Sequence, residues 1–273
     1  RDVAFHDLTD ETKKQVMSES LTSELDARSA QLARIVEQTR RYRGYTRNSL
    51  SFAMSEIIAA MPIYRTYITD HQPVSERDRF YIEQAVATAK ERNSLTPSSV
   101  FDFLRDTLLK ENWHNFTPAQ REELNEFVMK FQQITGPVMA KSVEDTAFYI
   151  YNRLVSLNEV GGHPDRFGAG LDDFHQHNLD QAFPYTMLST STHDTKRGED
   201  VRARINVLSE MPEKWETMIE KWAVINADAK TELAGSLAPD RNDEYLLYQT
   251  LLGAYPDDDR DLDTFHARVI GYM

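Results

Sequence analysis

The chain has 273 residues, 40% of them hydrophobic, which is enough to bury one large core or two smaller ones. Asp and Glu number 44 against 31 Lys and Arg, and the net charge of -13 argues against nucleic acid as a partner. The absence of cysteine excludes disulfides and thiolate chemistry, and no apolar window reaches the roughly 20 residues of a membrane span. We therefore predict a cytoplasmic protein whose partners are neither nucleic acids nor membranes.

The first 134 residues have the pattern of successive amphipathic helices. Apolar residues at a spacing near 3.6 predict helices over residues 9–39 and 50–61. Ser75 begins a third helix in the manner of a capping box, and Thr96 and Thr117 begin two more, each as an N-cap hydroxyl before a proline. This part of the chain is therefore predicted to be helical.

The pattern changes at residues 135–137, where Thr-Gly-Pro is predicted to end the last of these helices. Two short apolar or β-branched runs follow, and charged residues come directly after each. We interpret these runs, Val138–Ala140 and the stretch from Pro184 to Thr192, as buried strands. A glycine-rich loop lies between them, and further helices are predicted over residues 145–157, 199–208, 212–226, 243–252 and 262–272.

The charged residues after the two predicted strands are the candidate site. His193 and Asp194 follow the second strand among cations that include Arg197, and a carboxylate held by such cations stays ionised, as a stabiliser of positive charge must. Lys141 and Glu144 follow the first strand in the same way, which suggests one shared rim. The alternatives are that Asp194 caps the next helix with His193 packed beside it, and that Glu144 only offsets the dipole at a helix N-terminus.

Five segments of the chain resemble the maltooligosyl trehalose synthases of the α-amylase superfamily of glycoside hydrolases. They occur in that family's order and are distributed along most of the chain, from residue 23 to residue 256. The segments are SELDARSAQLARI (23–35), MPIYRTYI (61–68), QQITGPVMAKSVEDTAFYIYNRLVSLNEVGG (132–162), TSTHDTKRGEDVRARI (190–205) and NDEYLLYQTLLGAYP (242–256).

The resemblance implies a mainly α fold with two or three short strands. Residues 1–134 would be a helical insertion domain that helps to exclude water from the site. Residues 135–208 would be a partial (β/α) barrel segment that carries the sixth and seventh strands, and residues 209–273 would be the C-terminal helices of the barrel region. The chain would then be a C-terminal fragment, in line with Arg1 rather than Met at its start, and the missing N-terminal barrel portion of the same enzyme would be its partner.

The resemblance also implies the chemistry. In this family the reducing-end α-1,4 link of a maltooligosaccharide becomes the α,α-1,1 link of trehalose, by retaining intramolecular transglucosylation through a covalent glucosyl-enzyme. Asp194 matches a catalytic carboxylate that stabilises the oxocarbenium-like sugar, and His193 would contact the same glucose. Lys141 and Glu144 match the subsite that retains the released glucose, and Arg197 would be an orienting cation.

No cofactor or metal is implied for this reaction. The nucleophile and the acid/base of the family lie on strands that precede everything seen in this chain. We therefore expect the chain to be inactive on its own.

Two other functions remain as alternatives. A metal-dependent phosphohydrolase would use His193 and Asp194 as ligands, together with further His and Asp residues around the same ion. A helical interaction module would use the amphipathic residues 1–134 to bind a protein partner and would have no affinity for maltooligosaccharide.

Overall fold

A computed structural model describes residues 3–180, 185–258 and 261–273. The chain divides into two compact units, residues 1–147 (the first unit) and 148–273 (the second unit). Both units are mostly helical, so the prediction of a mainly α chain is confirmed. No helix among the described residues is long and apolar enough to cross a bilayer.

In its described part, residues 3–147, the first unit has six α-helices and ends in a π-helix over Ala140–Ala147. Their bounds are α1 Phe5–Ser20, α2 Thr22–Gln38, α3 Arg47–Ala60, α4 Glu76–Arg92, α5 Ser98–Leu108 and α6 Pro118–Met139, with a short 3-10 helix at Trp113–Asn115.

Local side-chain hydrogen bonds begin two of these helices as the sequence predicts. Thr117 and Gln120 form a capping box at α6, in which the Thr117 hydroxyl accepts from the Gln120 amide and the Gln120 side chain accepts from the Thr117 amide at 3.0 Å. The Ser75 hydroxyl accepts from the Asp78 amide at 3.0 Å at the start of α4. At the first helix the prediction is wrong in one detail, because residues 9–39 are divided between α1 and α2 at Leu21.

The strand predicted at Val138–Ala140 is wrong, because α6 runs through Pro137 to Met139 and continues as the π-helix. Proline removes one backbone donor and its ring crowds the carbonyl of the preceding turn, at a cost of about 3 kcal/mol, whereas the buried stripe of α6 extends without interruption from Phe131 through Ile134 to Val138. Burial of that stripe outweighs the lost hydrogen bond, so the helix passes the Thr-Gly-Pro sequence. Lys141 and Glu144 therefore lie within a continuous helical segment and not at a helix N-terminus.

The core of the first unit receives buried apolar side chains from α1 to α6. It includes Leu32, Ile57, Phe101, Phe127 and Phe131, each at most 1% exposed. Such close packing contributes most of the stability of a domain, since each buried side chain of this size adds roughly 1.5–3 kcal/mol.

The second unit has shorter elements. They are α7 Phe148–Ile150, α8 Leu171–Leu179, α9 Glu199–Asn206, α10 Pro212–Ile225, α11 Arg241–Ala254 and α12 Leu262–Tyr272, 3-10 helices at Val155–Leu157, Val207–Glu210 and Ala227–Ala229, and the strands β1 Thr231–Leu233 and β2 Ser236–Ala238. The strands pair as an antiparallel hairpin, whose turn residues Ala234 and Gly235 both have positive φ.

The strand predicted to end at Thr192 is also wrong, because residues 185–192 form no strand, and Pro184 lies outside the described residues. A strand needs ladder partners for its backbone groups. Here the Thr190 carbonyl accepts from Arg202 instead, and the Thr192 amide donates to the Thr195 hydroxyl at 2.6 Å. Small hydroxyl residues serve this local bonding as readily as they serve a strand.

The core of the second unit is small. It contains Val155, Ile205, Leu208, Trp215, Leu246 and Tyr248. Gly253 of α11 has no room for a side chain, because an added Cβ would lie 2.8 Å from Cδ1 of Ile205 and 2.9 Å from Cγ1 of Val201. The missing side chain thus allows α9 and α11 to pack closely, which fixes the helix that follows the candidate site.

Candidate functional site

The first group of predicted site residues lies on the π-helix of the first unit. Lys141 is largely exposed and its Nζ lies 2.7 Å from Oδ2 of Asp145, one helical turn further on. The Tyr64 hydroxyl donates a hydrogen bond to Glu144. π-Helices are rare and frequently occur at functional sites. The position of Lys141 and Glu144 on a π-helix therefore supports a functional site here, and the periodicity of the sequence does not reveal it.

The segment that carries Tyr64 is held from both sides. Gln132, buried in α6, accepts from the Ile68 amide at 2.6 Å and donates to the Ile68 carbonyl at 3.0 Å. The side-chain amide of Gln132 thus makes the two hydrogen bonds that a neighbouring strand would make. At the other end, Nζ of Lys13 donates to the carbonyls of Ala59 and Met61 at 3.1 and 2.8 Å, at the C-terminus of α3. Burial lowers the pKa of Lys13 to about 8.

The second group lies in the second unit, on a loop between residue 189 and α9. Thr192 to Thr195 form a turn in which the Thr195 amide donates to the Thr192 carbonyl at 3.3 Å. His193 and Asp194 are the two central residues of this turn, and both are exposed. Within the described residues neither side chain makes a hydrogen bond or an ion pair. The capping alternative is wrong for Asp194, because the N-cap of α9 is Gly198.

Glu199 holds the chain before this turn. Its Oε2 accepts from the hydroxyls of Thr190 and Ser191, the latter at 3.1 Å. These two hydrogen bonds stabilise the ionised form, so the pKa of Glu199 is lowered. Arg202, on the same helix, donates to the Thr190 carbonyl.

Glu159 holds the chain after the turn. Its Oε2 accepts from the Lys196 amide and its Oε1 from the Arg197 amide, both at 2.8 Å. The guanidinium of Arg197 then donates to the Val155 carbonyl and to the Tyr272 hydroxyl, each at 3.2 Å. Burial raises the pKa of Tyr272. These two hydrogen bonds therefore fix the Arg197 side chain in one orientation.

The chain around Glu159 leaves that residue little freedom. Asn158 is fully buried, and its Nδ2 donates to the carbonyls of Phe148 and Tyr151 at 2.7 and 2.9 Å. Gly161 has φ +76°, a conformation that side chains rarely adopt, and a Cβ on Gly162 would lie 2.8 Å from the Glu159 carbonyl oxygen. The segment NEVGG therefore needs both glycines to make its turn.

An open cavity of about 540 Å³ lies elsewhere in the second unit, beside α10 and α11. Trp215, Tyr245, Arg153 and Glu216 are among its lining residues. Trp215 is only 9% exposed, and its Nε1 donates to the Tyr245 hydroxyl at 3.2 Å. This indole belongs to the core and is not an open platform on which a sugar ring would stack.

The structure thus gathers His193, Asp194 and Arg197 on one pinned loop of the second unit, and Lys141 and Glu144 on the π-helix of the first. Sequence reasoning missed Glu159 and Glu199 as supports of the loop. The signal for Glu159 was its place before two glycines in a segment that also resembled a known family. No three His, Asp or Glu side chains among residues 3–180, 185–258 and 261–273 converge as a metal site.

Comparison with known proteins gives one consistent result, although no protein-family model matches the chain. A putative maltooligosyl trehalose synthase from Mycobacterium tuberculosis is 46% identical over 130 residues, which are 47% of this chain and 16% of the relative. A mutant of maltooligosyltrehalose synthase from Arthrobacter ramosus matches 98% of this chain at 30% identity with a TM-score of 0.74. A hypothetical maltooligosyl trehalose synthase from Sulfolobus tokodaii matches 99% at 28% identity with a TM-score of 0.65.

The aligned segment is 16% of the Mycobacterium protein, and the chain covers 30% of the Arthrobacter protein and 31% of the Sulfolobus protein, so it spans only part of the length of these relatives. The sequence similarity and the structural similarity both point to the family that the five sequence segments indicate. The resemblance is thereby confirmed, and the chain is homologous to a part of the maltooligosyl trehalose synthases.

Proposed function

We propose that this chain is part of an enzyme that converts the reducing-end α-1,4 glucosidic link of a maltooligosaccharide into the α,α-1,1 link of trehalose. The names of the relatives support this reaction. The observation that carries the proposal is the His193–Asp194 turn, which presents a carboxylate and an imidazole to solvent at the tip of a loop pinned on both sides. Exposed polar groups on a fixed backbone are what recognition of a sugar requires.

Asp194 acts in this proposal as the carboxylate that stabilises positive charge on the glucosyl ring. An oxocarbenium-like transition state carries more positive charge than the bound sugar does, so a fixed carboxylate beside it lowers the barrier more than it strengthens ground-state binding. His193, its neighbour in the turn, binds the same sugar. Arg197 is the orienting cation, which its bonds to Val155 and Tyr272 hold in place.

Lys141 and Glu144 retain the released glucose while it turns before the new link forms. Both types of side chain hydrogen bond to sugar hydroxyls, and here each has a neighbour that limits its motion, Asp145 for Lys141 and Tyr64 for Glu144. Retention of the glucose matters because a glucosyl-enzyme that meets water is hydrolysed instead. We assign the role of water exclusion to the helical residues 1–134.

The nucleophile and the acid/base carboxylate lie outside this chain in our proposal. Retaining glycosidic chemistry needs that pair in addition to a stabilising carboxylate. The purified 273-residue chain is therefore expected to form no trehalose from maltooligosaccharide, and trehalose formation above that of a heat-denatured sample would contradict this assignment.

The test of Asp194 is the Asp194→Asn substitution in the complete enzyme. Loss of the negative charge is expected to lower turnover by about 10²- to 10³-fold while oligosaccharide binding stays within about tenfold, because the charge acts mainly on the transition state. Asp200→Asn is the matched control, since Asp200 is an exposed carboxylate on α9, six residues along the same segment. Unchanged turnover in Asp194→Asn, or an equal loss in Asp200→Asn, would remove Asp194 from the chemistry.

A further inference from the structure

We propose that Glu159 is a positioning residue that sets the orientation of the His193–Asp194 turn, an inference that rests on the proposed function of Asp194. One carboxylate spans two consecutive peptide groups, with one oxygen for the Lys196 amide and the other for the Arg197 amide, both at 2.8 Å. We call this arrangement the Glu159 clasp. It lies directly after the four residues of the turn, so it fixes the direction in which the chain leaves the turn.

The clasp is a strong contact for its size. Hydrogen bonds to an ionised acceptor are about twice as strong as those between neutral groups, and the clasp makes two of them across 37 and 38 residues of sequence. Lys196, Arg197 and Glu159 are also partly buried, which shields the bonds from competition by water. Glu199 supports the other side of the turn only through the side-chain hydroxyls of Thr190 and Ser191. After the turn the clasp holds the backbone directly at two amides, and before the turn Arg202 holds it at the Thr190 carbonyl.

Glu159 is itself built into a rigid segment. The buried Asn158 next to it bonds two carbonyls of the preceding helical turn, and the Gly162 amide donates to the Glu159 carbonyl at 2.7 Å. Residues other than glycine are disfavoured at both following positions, because Gly161 has a positive φ and Gly162 has no space for a Cβ. These contacts fix the backbone that carries the Glu159 carboxylate.

The clasp acts on the predicted site residues through the backbone. Asp194 has no bond of its own within the described residues, so the direction of its carboxylate depends on the turn that carries it. Arg197 carries one of the two clasped amides, and the orientation of that peptide decides whether its guanidinium reaches Val155 and Tyr272. A displacement of about 1 Å at a reacting group is enough to cost roughly 10²-fold in rate. Loss of the clasp is thus expected to lower turnover without contact between Glu159 and the sugar.

The experiment is a double-mutant cycle in the complete enzyme with Glu159→Gln and Asp194→Asn. Glutamine keeps the shape of the side chain, but its NH₂ group would face one of the two amide donors, so one bond of the clasp is lost. We expect Glu159→Gln to lower kcat by about 10- to 100-fold with KM within about threefold. In the Asp194→Asn background the same substitution should lower kcat by less than about threefold, because Glu159 acts mainly through the charge of Asp194, which that background already lacks. Glu210→Gln, on an exposed glutamate, is the control.

Each outcome of the cycle bears on a different claim. Equal fold-losses from Glu159→Gln in both backgrounds would mean a general structural role and would overturn the positioning role, as would an unchanged kcat. Unchanged turnover in Asp194→Asn alone would overturn the proposed function of Asp194 instead. Should Glu159→Gln not fold, Glu159→Asp replaces it in the cycle. Amide hydrogen exchange at Lys196 and Arg197 adds a direct readout, since these amides should exchange faster in the variant and the Thr195 amide should change less.

Discussion

The two units of the molecule are stabilised by different means. The first unit buries apolar side chains from all six helices in one continuous core. The second unit has a small core and leaves many large apolar side chains exposed, among them Leu171, Met187, Leu188, Val224 and Ile270, each more than three-quarters accessible. Several of its loop segments are held by hydrogen bonds of Asn158, Glu159 and Gln249 to backbone groups. Asp194 thus lies in the unit where hydrogen bonds to the backbone contribute more to loop geometry than apolar packing does.

Such a division has a dynamic consequence. Regions with few buried apolar contacts open locally at a lower free energy than packed cores do. The second unit is therefore expected to exchange its backbone amides faster than the first unit. Loops that carry function are commonly drawn from the less stable end of this range.

The largest test compares one core isoleucine in each unit. Ile57 of the first unit and Ile205 of the second are both fully buried. Ile57→Ala should lower the local free energy of unfolding by about 4 kcal/mol, because a cavity in a filled core collapses poorly. Ile205→Ala should cost about 2 kcal/mol, since the smaller core around it relaxes more easily. Hydrogen exchange measured on peptides from each unit separates the two values.

Ile57→Val and Ile205→Val serve as matched milder variants, with expected costs of about 0.5–1.5 kcal/mol each. An Ile205→Ala cost equal to or above that of Ile57→Ala would contradict the comparison. It would mean that the second unit depends on packing as much as the first unit does.

A second test addresses the close approach of α9 and α11 at Gly253 in the second unit. Gly253→Ala should destabilise this unit by about 2–3 kcal/mol, because the new methyl group would overlap the side chains of Ile205 and Val201. Gly271→Ala is the control, since nothing lies within 4 Å of its Cβ position and alanine favours the helix. Thermal unfolding monitored by tryptophan fluorescence reports on both, because Trp215 lies in the same core. A gain in stability from Gly253→Ala would mean that α9 and α11 are free to move apart.

The sequence predicts those parts of the fold that depend on local interactions. The capping residues of α4 and α6, the helix over residues 262–272 and the overall helical class follow from short-range bonding and periodicity, and each is confirmed. The helix end predicted at Pro137 is wrong because the breaking effect of proline is local, whereas the burial of Val138 that outweighs it is a tertiary contact. Residues 189–192 were misread because hydroxyl side chains serve turns as well as strands.

The site divides in the same way. His193 and Asp194 stand out in the sequence because they follow a small apolar run and resemble a family motif, and their roles stay a prediction. Glu159 could not be assigned, because its partners lie 37 and 38 residues away and are backbone amides, which leave no side-chain signature. The long-range bond between Gln132 and Ile68 was hidden for the same reason. Contacts of a side chain to a distant backbone are thus the part that pattern reasoning misses.

The smallest predicted effect concerns the first unit, whose interior contains a buried lysine, Lys13. Lys13 lies among apolar residues with its pKa lowered to about 8 by burial, opposed in part by Asp10. Below pH 8 both the folded and the unfolded chain carry the charge, and its burial costs stability. Between pH 8 and the unfolded value of 10.5 only the unfolded chain keeps the proton, so the stability that Lys13 contributes rises with pH and is fully present above 10.5.

The free energy of unfolding of the wild type should therefore rise relative to that of Lys13→Met by about 2 kcal/mol from pH 7.5 to pH 9.5, measured by urea unfolding at each pH. The comparison with the variant cancels the titration of other groups, and Lys214→Met, on an exposed lysine of the second unit, controls for the loss of one positive charge. A difference that falls with pH would mean that the ammonium is stabilised in the folded state by the Ala59 and Met61 carbonyls more than burial penalises it. The hydrogen bonds of Lys13 to the backbone would then stabilise the first unit, as those of Asn158 and Glu159 stabilise the second unit. The two units would therefore be more alike at this position than their cores suggest.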